Sequence, residues 1–587
     1  MFASWLSRCL PGLSIIALLF LLLFSSTDVL PESWRSPPRG KVPENRPPAL
    51  NLAQMIFIVY SILVHLNTVL FTGRLSWSLT YAFGQTSKLL KRRSDSSQSP
   101  SASPEPRSPS DDPFATAIDM KRTQLWVAEV AEAVDEVTHA IILPNYNEDI
   151  GTLRATLDVL ASHPRARTQY EVYLAMEQKE SGAAEKAEKL AASYETCFAL
   201  VQATFHPTGL PSEIAGKSSN VAFAARHIGQ VHRAELASGS CNVIITVMDA
   251  DTNLWQDYFT EIRRLHYAHI TEAHRTLYSC PIIFDRNSND SPILVRCADL
   301  LWSFAGLSTM YPRSTVAIPT SVYSVPLPLA DQVGGWDSDP TSIGEDMHMM
   351  LKCYFETNGS LVSRVVHAPA SQCNVSSDLP RPGFRRTLDT CVARYRQALR
   401  HMWGALDSGF AARNSVRAAR FSWRCLLLKP RHLALVHLLW EAHFLPCHFT
   451  IVLLFSMFYE QLAKYTGTPL HPYITFTFQL TGFLRAASFI WMNISISLYN
   501  RWYELCLQTR KNDTAGFGPG AGTSIEVGFS DRRPWYRMTF LLERIVFPIA
   551  GTVFGAVPTI HAVFMHFWTE RLAYRVSKKP SFGVAIV

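Results

Sequence analysis

Five long apolar runs limit what this chain can fold into: residues 10–26, 50–70, roughly 432–459, 473–499 and 541–568. Each is near or above the ~20 residues that a helix needs to span a bilayer. The first run has no clear small-x-small cleavage site and a second run follows it. A signal anchor, rather than a cleaved signal peptide, and a multi-pass integral membrane protein are expected. The last three runs carry Glu441, His443, Arg485, Glu543 and His561. Ionisable groups at that depth face a protein interior or a wet path. Pro548 and Pro558 leave open an interfacial or re-entrant form for the last run.

Basic residues orient the runs. Lys88, Lys91, Arg92 and Arg93 follow the second, and Arg501, Arg510, Lys511, Arg532 and Arg533 follow the fourth. Both sets read as cytosolic, which places the polar middle, about residues 114–425, in the cytosol. Arg35, Arg39, Lys41 and Arg46 oppose that assignment, and Arg571, Arg575, Lys578 and Lys579 in the tail leave the helix count open by one. Which membrane holds the chain, plasma membrane or Golgi/ER, stays open. The net charge of +7 is mild. It suits contact with anionic lipid and not nucleic-acid binding. The 11 cysteines are scattered, with no paired Cys/His spacing, so neither a zinc site nor a disulfide framework is expected.

The expected organisation is an N-terminal region with two membrane helices (1–80), a basic, Ser/Pro-rich linker (81–113), a folded domain (114–385), interfacial amphipathic helices (386–431) and a C-terminal membrane region (432–587). The linker has too few apolar residues to bury a core. Beyond it, strands are expected at 137–143, 170–176, 198–205 and 243–248, with helices at 183–196 and 218–231 between them. Alternating strands and helices predict an α/β fold, a mostly parallel sheet with right-handed crossovers of the nucleotide-binding kind. No Gly-x-Gly-x-x-Gly or Walker loop occurs.

The fourth strand ends in Asp249 and Asp251. Ligands of open α/β sheets bind beyond the carboxyl ends of the strands. Two Asp at i and i+2 on a turn suit Mg²⁺ or Mn²⁺, which takes one or two carboxylates plus substrate phosphates. Taken alone, the pair reads rather as a solvated strand end with an Asx-turn. Lys217 follows a glycine and opens a helix, a place where free amides favour anions. Glu345 and Asp346 open another helix, either as a cap or as a reactive pair. Residues 394–431 set eight arginines among apolar side chains, a membrane-surface pattern.

In order, these motifs resemble the family 2 glycosyltransferases. The resemblance is to the membrane-embedded kind, such as cellulose, hyaluronan and chitin synthases, and to fungal membrane proteins with the same domain. It covers about residues 137–410 and implies a GT-A-type, Rossmann-like nucleotide-sugar-binding domain. Leu143-Pro-Asn-Tyr-Asn-Glu148 looks like the nucleotide-entry motif, with Pro144, Asn147 and Glu148. Ala215-Gly-Lys-Ser-Ser-Asn220 looks like the diphosphate segment, with Lys217 and Asn220. Asp249-Ala-Asp251 looks like the metal motif, and Gly344-Glu-Asp346 like the motif of the catalytic base, Asp346, with Glu345 as the alternative. Gln397-Ala-Leu-Arg400 and Trp403 look like the segment that closes over the donor. Trp336 would flank the acceptor.

Two departures stand out. Ala175-Met-Glu-Gln178 replaces the usual Asp pair for the base, with Glu177 as the substitute. Trp403 also stands two residues later than usual, though Arg400 and Trp403 would share a helical face. The resemblance implies metal-dependent, inverting transfer of a sugar from a nucleotide-sugar donor to a lipid or growing glycan acceptor, possible product export, and membrane lipids as partners. The alternative is a transporter or membrane scaffold with a degenerate, non-catalytic domain.

Overall fold

The computed structural model describes residues 2–29, 49–98, 137–210, 213–214, 216–288, 291–376, 383–427, 429–515 and 538–572. The Ser/Pro-rich stretch beyond residue 98 and the basic residues at 35–46, 532–533 and 575–579 lie outside them.

Ten strands form two sheets: β1 (Thr138–Asn145), β2 (Tyr170–Glu177), β3 (Leu200–His206), β4 (Val243–Val247), β5 (Asn253–Leu254), β6 (Thr276–Ser279), β7 (Ile282–Phe284), β8 (Tyr323–Pro326), β9 (Val362–Val365) and β10 (Ala370–Gln372). The larger sheet has the order β3-β2-β1-β4-β8-β6-β9, and the smaller β5-β10-β7. The pairs β1–β2, β2–β3 and β1–β4 are parallel, and β8 runs antiparallel between β4 and β6. The expected parallel α/β architecture is therefore present, with an antiparallel strand inserted. Neither β8 nor the short β5, β7 and β10 was readable in the sequence. They are two to four residues long, too short for a period-2 signature.

Apolar side chains alternate between the two faces of the larger sheet. Ile141 and Leu143 of β1 join one buried cluster, while Ala140 and Ile142 join the other. Both faces are covered, so every residue of β4 is buried and its sequence is a continuous apolar run. The chain runs outward from β1 to β3 and then returns to β4 on the other side of β1. The crevice at the ends of β1 and β4 is thus the switch point where such sheets bind ligands.

Three helices are long and apolar enough to cross a membrane: Leu52–Asp95, Leu445–Thr466 and Leu541–Met565. A fourth is added if Phe2–Arg8 and Leu10–Ser25, bent by 67°, count as one span. The expectation of a single run over 432–459 is corrected. The chain breaks at Phe444 into Pro430–His443 and Leu445–Thr466. Pro446 starts the second helix, where its missing N–H costs nothing, and it cannot continue the first. Residues 473–499 are also not among the three. They lie within Pro472–Ala515, a helix of 44 residues whose polar positions dilute its apolarity.

The second helix continues past the boundary expected at residue 80, to Gln98. Its basic end meets the folded domain, with Arg92 3.6 Å from Glu261 and Arg93 3.4 Å from Asp257. The five ionisable groups singled out in the last three runs are partnered: Glu441 with Arg74 and Asn67, His443 with Ser408, Arg485 with His65, Glu543 with Arg296, and His561 with Tyr395.

Candidate active site

The end of β4 turns sharply, and the Thr252 amide donates to the Asp249 carbonyl at 3.0 Å. Asp251 is pinned inward. Its side chain accepts the Cys373 amide at 3.2 Å, and its carbonyl accepts Arg286 at 2.5 Å. Asp249 stays partly open, with 29% of its side chain exposed.

Lys217 opens the helix Lys217–Val231, and its ammonium lies 2.8 Å from Asp249 and 3.1 Å from Glu345. Burial disfavours its charge. The carboxylates of Asp249, Glu345 and Asp346 outweigh that penalty and hold Lys217 above the ordinary lysine range. Glu345 is buried, and burial raises its pKa against the pull of Lys217. The Tyr323 hydroxyl, on β8, donates to Glu345 and accepts the Trp336 indole N–H at 2.6 Å. Asp346 accepts the Ser321 amide at 2.8 Å and the Met347 amide at 2.9 Å. Glu345 is therefore held by Lys217 and Tyr323, whereas Asp346 is capped only by backbone amides in these contacts.

These residues line one cavity of roughly 780 Å³. Of the sequence-derived candidates, Pro144, Glu148, Glu177, Lys217, Asn220, Asp249, Asp251, Glu345, Asp346, Gln397 and Arg400 line it together. Asn147, Trp336 and Trp403 are not among its lining. Asn147 supports the entry loop through its backbone, at φ 56, donating its amide to Glu180 at 2.8 Å. Trp336 stands behind Tyr323, to whose hydroxyl its indole N–H donates.

Trp403 keeps helical backbone, at φ −61 and ψ −24, yet its side chain lies outside the cavity lining. The helix Phe384–Met402 ends before it, and Trp403 enters a 3₁₀ turn, Trp403–Ala405. Its indole N–H donates to the Glu570 carbonyl at 3.0 Å, and its ring packs edge-on against His566. Arg400 remains at the cavity. Gln397 also accepts from Arg394, a wholly buried residue 3.1 Å from Asp299. Burial raises the Asp299 pKa to about 7, against the nearby arginines.

Sequence reasoning missed Glu180. It ties together the Asn145 side chain, the Asn147 amide and Lys186, and so shapes the loop after β1. Its only signal was its place just past β2. Glu177 faces His206 at 3.3 Å, and its other oxygen is buried with no hydrogen-bond partner among the described residues. Among the described residues, no three His, Cys, Asp or Glu side chains form a group that could hold a metal. Asp249 and Asp251 supply hard oxygens only, a donor set that fits Mg²⁺ or Mn²⁺ when substrate phosphates and water complete the shell. Asn220 donates to the Ala175 carbonyl at 2.7 Å and locks its helix to β2.

The model of the Glycosyl transferase family group 2 matches residues 244–526. The match begins in β4 and includes Asp249, Asp251, Glu345, Asp346, Gln397 and Arg400. Among solved structures, the chain is similar to the mannosyltransferase PcManGT from Pyrobaculum calidifontis in complex with GDP-Man and Mn2+. That similarity is 14% identity over 72% of this chain and 97% of the other, with a TM-score of 0.35. A likeness at that score carries no inference about this chain. No curated protein matches it.

Proposed function

We propose that this chain, similar to glycosyl transferase family group 2 over residues 244–526, is a membrane glycosyltransferase that moves a sugar from a nucleotide-sugar donor to a lipid acceptor. The observation that carries the reading is the cluster of Lys217, Asp249, Glu345 and Asp346 at the sheet's switch point, in a cavity that continues into the helix bundle.

Asp249 and Asp251 would hold a divalent cation, which when bound offsets the charge growing on the leaving diphosphate. Lys217 and the free amides of its helix start serve the same phosphates. Glu177, with one buried oxygen unpaired, supports recognition of a base edge that presents N–H groups. Asp346 takes the acceptor proton, in line with its place at the cavity wall, where its carboxylate accepts the Ser321 and Met347 amides while Lys217 pairs with Asp249 and Glu345. One displacement on one base inverts the anomeric centre. Arg400, on the cover, excludes water from the diphosphate end.

The far end of the cavity favours lipid over glycan. Phe71, Phe449, Leu453, Met492, Phe547 and Phe554 line it, and Leu454 beside them is 61% exposed on the outside of the bundle. Such walls seat a hydrocarbon chain. Scattered hydroxyls of Thr68, Thr72, Thr450, Ser488 and Thr552 also belong to the lining.

The test is nucleotide release by the purified protein in detergent, with Mn²⁺ or Mg²⁺ and a panel of UDP- and GDP-sugars. Release should need the metal, rise with added lipid extract and vanish in Asp249→Ala and Asp346→Asn. Silence with every donor, together with no metal-dependent nucleotide binding, overturns the reading in favour of a degenerate domain. Stimulation by short oligosaccharides and not by lipid overturns the acceptor. The domain is placed on the cytosolic side. Of the sequons Asn358-Gly-Ser360 and Asn374-Val-Ser376, Asn374 is buried and hydrogen-bonded, whereas Asn358 is exposed on a turn and reports topology. It should remain unglycosylated in cells, and a glycan there reverses the placement.

A further inference from the structure

One turn behind the carboxylate pair lies a bridge that the chemistry above does not use. His348, on the helix Glu345–Glu356, is 2% exposed and sits between two carboxylates. Its Nδ1 is 2.6 Å from Asp407, on the helix Leu406–Leu426. Its Nε2 is 3.1 Å from Asp337, in the loop after Gly334 and Gly335. Lys352 donates to the same Asp337 at 2.6 Å and to the Gly335 carbonyl at 2.9 Å. The bridge thus ties three separate segments together.

It sits where two backbones touch. A Cβ on Gly344 would meet the Asp407 carboxylate at 2.8 Å and the Gly404 Cα at 3.4 Å. The start of the helix with Glu345 and Asp346 is therefore pressed against the turn that follows Arg400, and only glycine fits there. Asp407 is wholly buried. A buried carboxylate persists only when paired, and removing its partner strands the charge. A neutral imidazole has one N–H for two carboxylates, whereas imidazolium serves both.

We propose that His348 is a positioning residue. Clamped between Asp407 and Asp337, it holds the Asp346 helix at contact distance from the Gln397–Gly404 segment, so that the base and the cover over the donor act as one unit. The inference rests on the glycosyltransferase reading. Its consequence is energetic coupling between His348 and Arg400, which stand on different helices.

The test uses full-length protein in detergent, the donor found active in the panel above, and a double-mutant cycle. His348→Gln should lower kcat by about 10²-fold, as expected for a misplacement near 1 Å, while metal-dependent nucleotide affinity stays unchanged. Arg400→Ala should then cost much less in the His348→Gln background than in the wild type. A merely structural role moves Tm without that coupling. If His348→Gln does not fold, Asp337→Asn opens only the outer half of the clamp and should show the same coupling at a smaller loss. Folded His348→Gln with wild-type kcat, or losses that multiply in the cycle, overturn the clamp and leave the transferase reading standing. Wild-type protein that neither binds nor turns over any donor overturns both.

Discussion

Asp249 and Asp251 follow the end of β4, and Lys217, Glu345 and Asp346 open helices packed on the same sheet. Gln397, Arg400 and Trp403 stand on a helix that ends among them. The first group, the floor of the cavity, is placed by strand register and by helices packed on β1 and β4. Its positions follow from the fold, so a motif read along the chain survives in space. The second group, the cover, depends on which neighbours a helix end meets. Helical spacing puts Arg400 and Trp403 on one side, and the backbone stays helical through Trp403, at φ −61 and ψ −24. A shared side does not fix the partner: Arg400 lines the cavity, whereas the Trp403 indole meets the C-terminal segment.

That contrast predicts that the floor carries most of the rate. Asp346→Asn removes the base without changing its size, and turnover should fall by about 10²–10⁴-fold. Nucleotide binding measured by calorimetry should persist. Persisting turnover would move the base to Glu345. Lys217→Ala should cost about 10²–10³-fold in kcat, the scale for one lost group aimed at developing charge. It also leaves the buried Glu345 without its counter-charge. A smaller loss than in Arg400→Ala would reverse the ranking of floor over cover.

The join between floor and cover is also titratable. Burial opposes the charge on His348, but Asp407 and Asp337 more than offset it and raise its pKa to about 9 from 6.5. Asp339 and Asp346 lie further out around Asp407, and Lys352 shares Asp337. The folded pKa lies above the unfolded one. The stabilisation is therefore complete below about pH 6.5 and is lost as pH rises through about 9. Tm should fall between pH 7 and pH 10, and His348→Gln should flatten that slope. An equal slope in both proteins would place the titration elsewhere.

Legibility in the sequence divides along the same line. β1 to β4 were readable because each is a long apolar run with polar ends, and Asp249 and Asp251 because they close the most buried of these runs. β8 was not, since Tyr323–Pro326 is four residues ending in proline. With it went Tyr323, which links Glu345 to Trp336. Glu180 and His348 were missed for another reason. They are ordinary residues in their local sequence, and their roles come in part from distant partners, Asn147 at 33 positions from Glu180 and Asp407 at 59 from His348. Tertiary pairing of that kind leaves no local pattern. The break at Phe444 was legible in principle, because Pro446 forbids a continuous helix through it.

The smallest effect belongs to Trp403, and it separates cover from support. Were Trp403 a lid over the sugar, Trp403→Phe would raise the donor KM and lower kcat. Its indole instead donates to Glu570 and its ring meets His566, both in the C-terminal segment behind the cavity. Phenylalanine keeps most of the ring contact and loses one hydrogen bond, a cost of about 1 kcal/mol. Thermal unfolding should therefore shift slightly downward, while kcat and KM stay at wild-type values. A change in KM with an unchanged Tm would mean that the turn at Trp403–Ala405 rearranges when donor binds and swings the indole into the cavity. The cover would then be a moving part, and its helix end a hinge instead of a fixed edge.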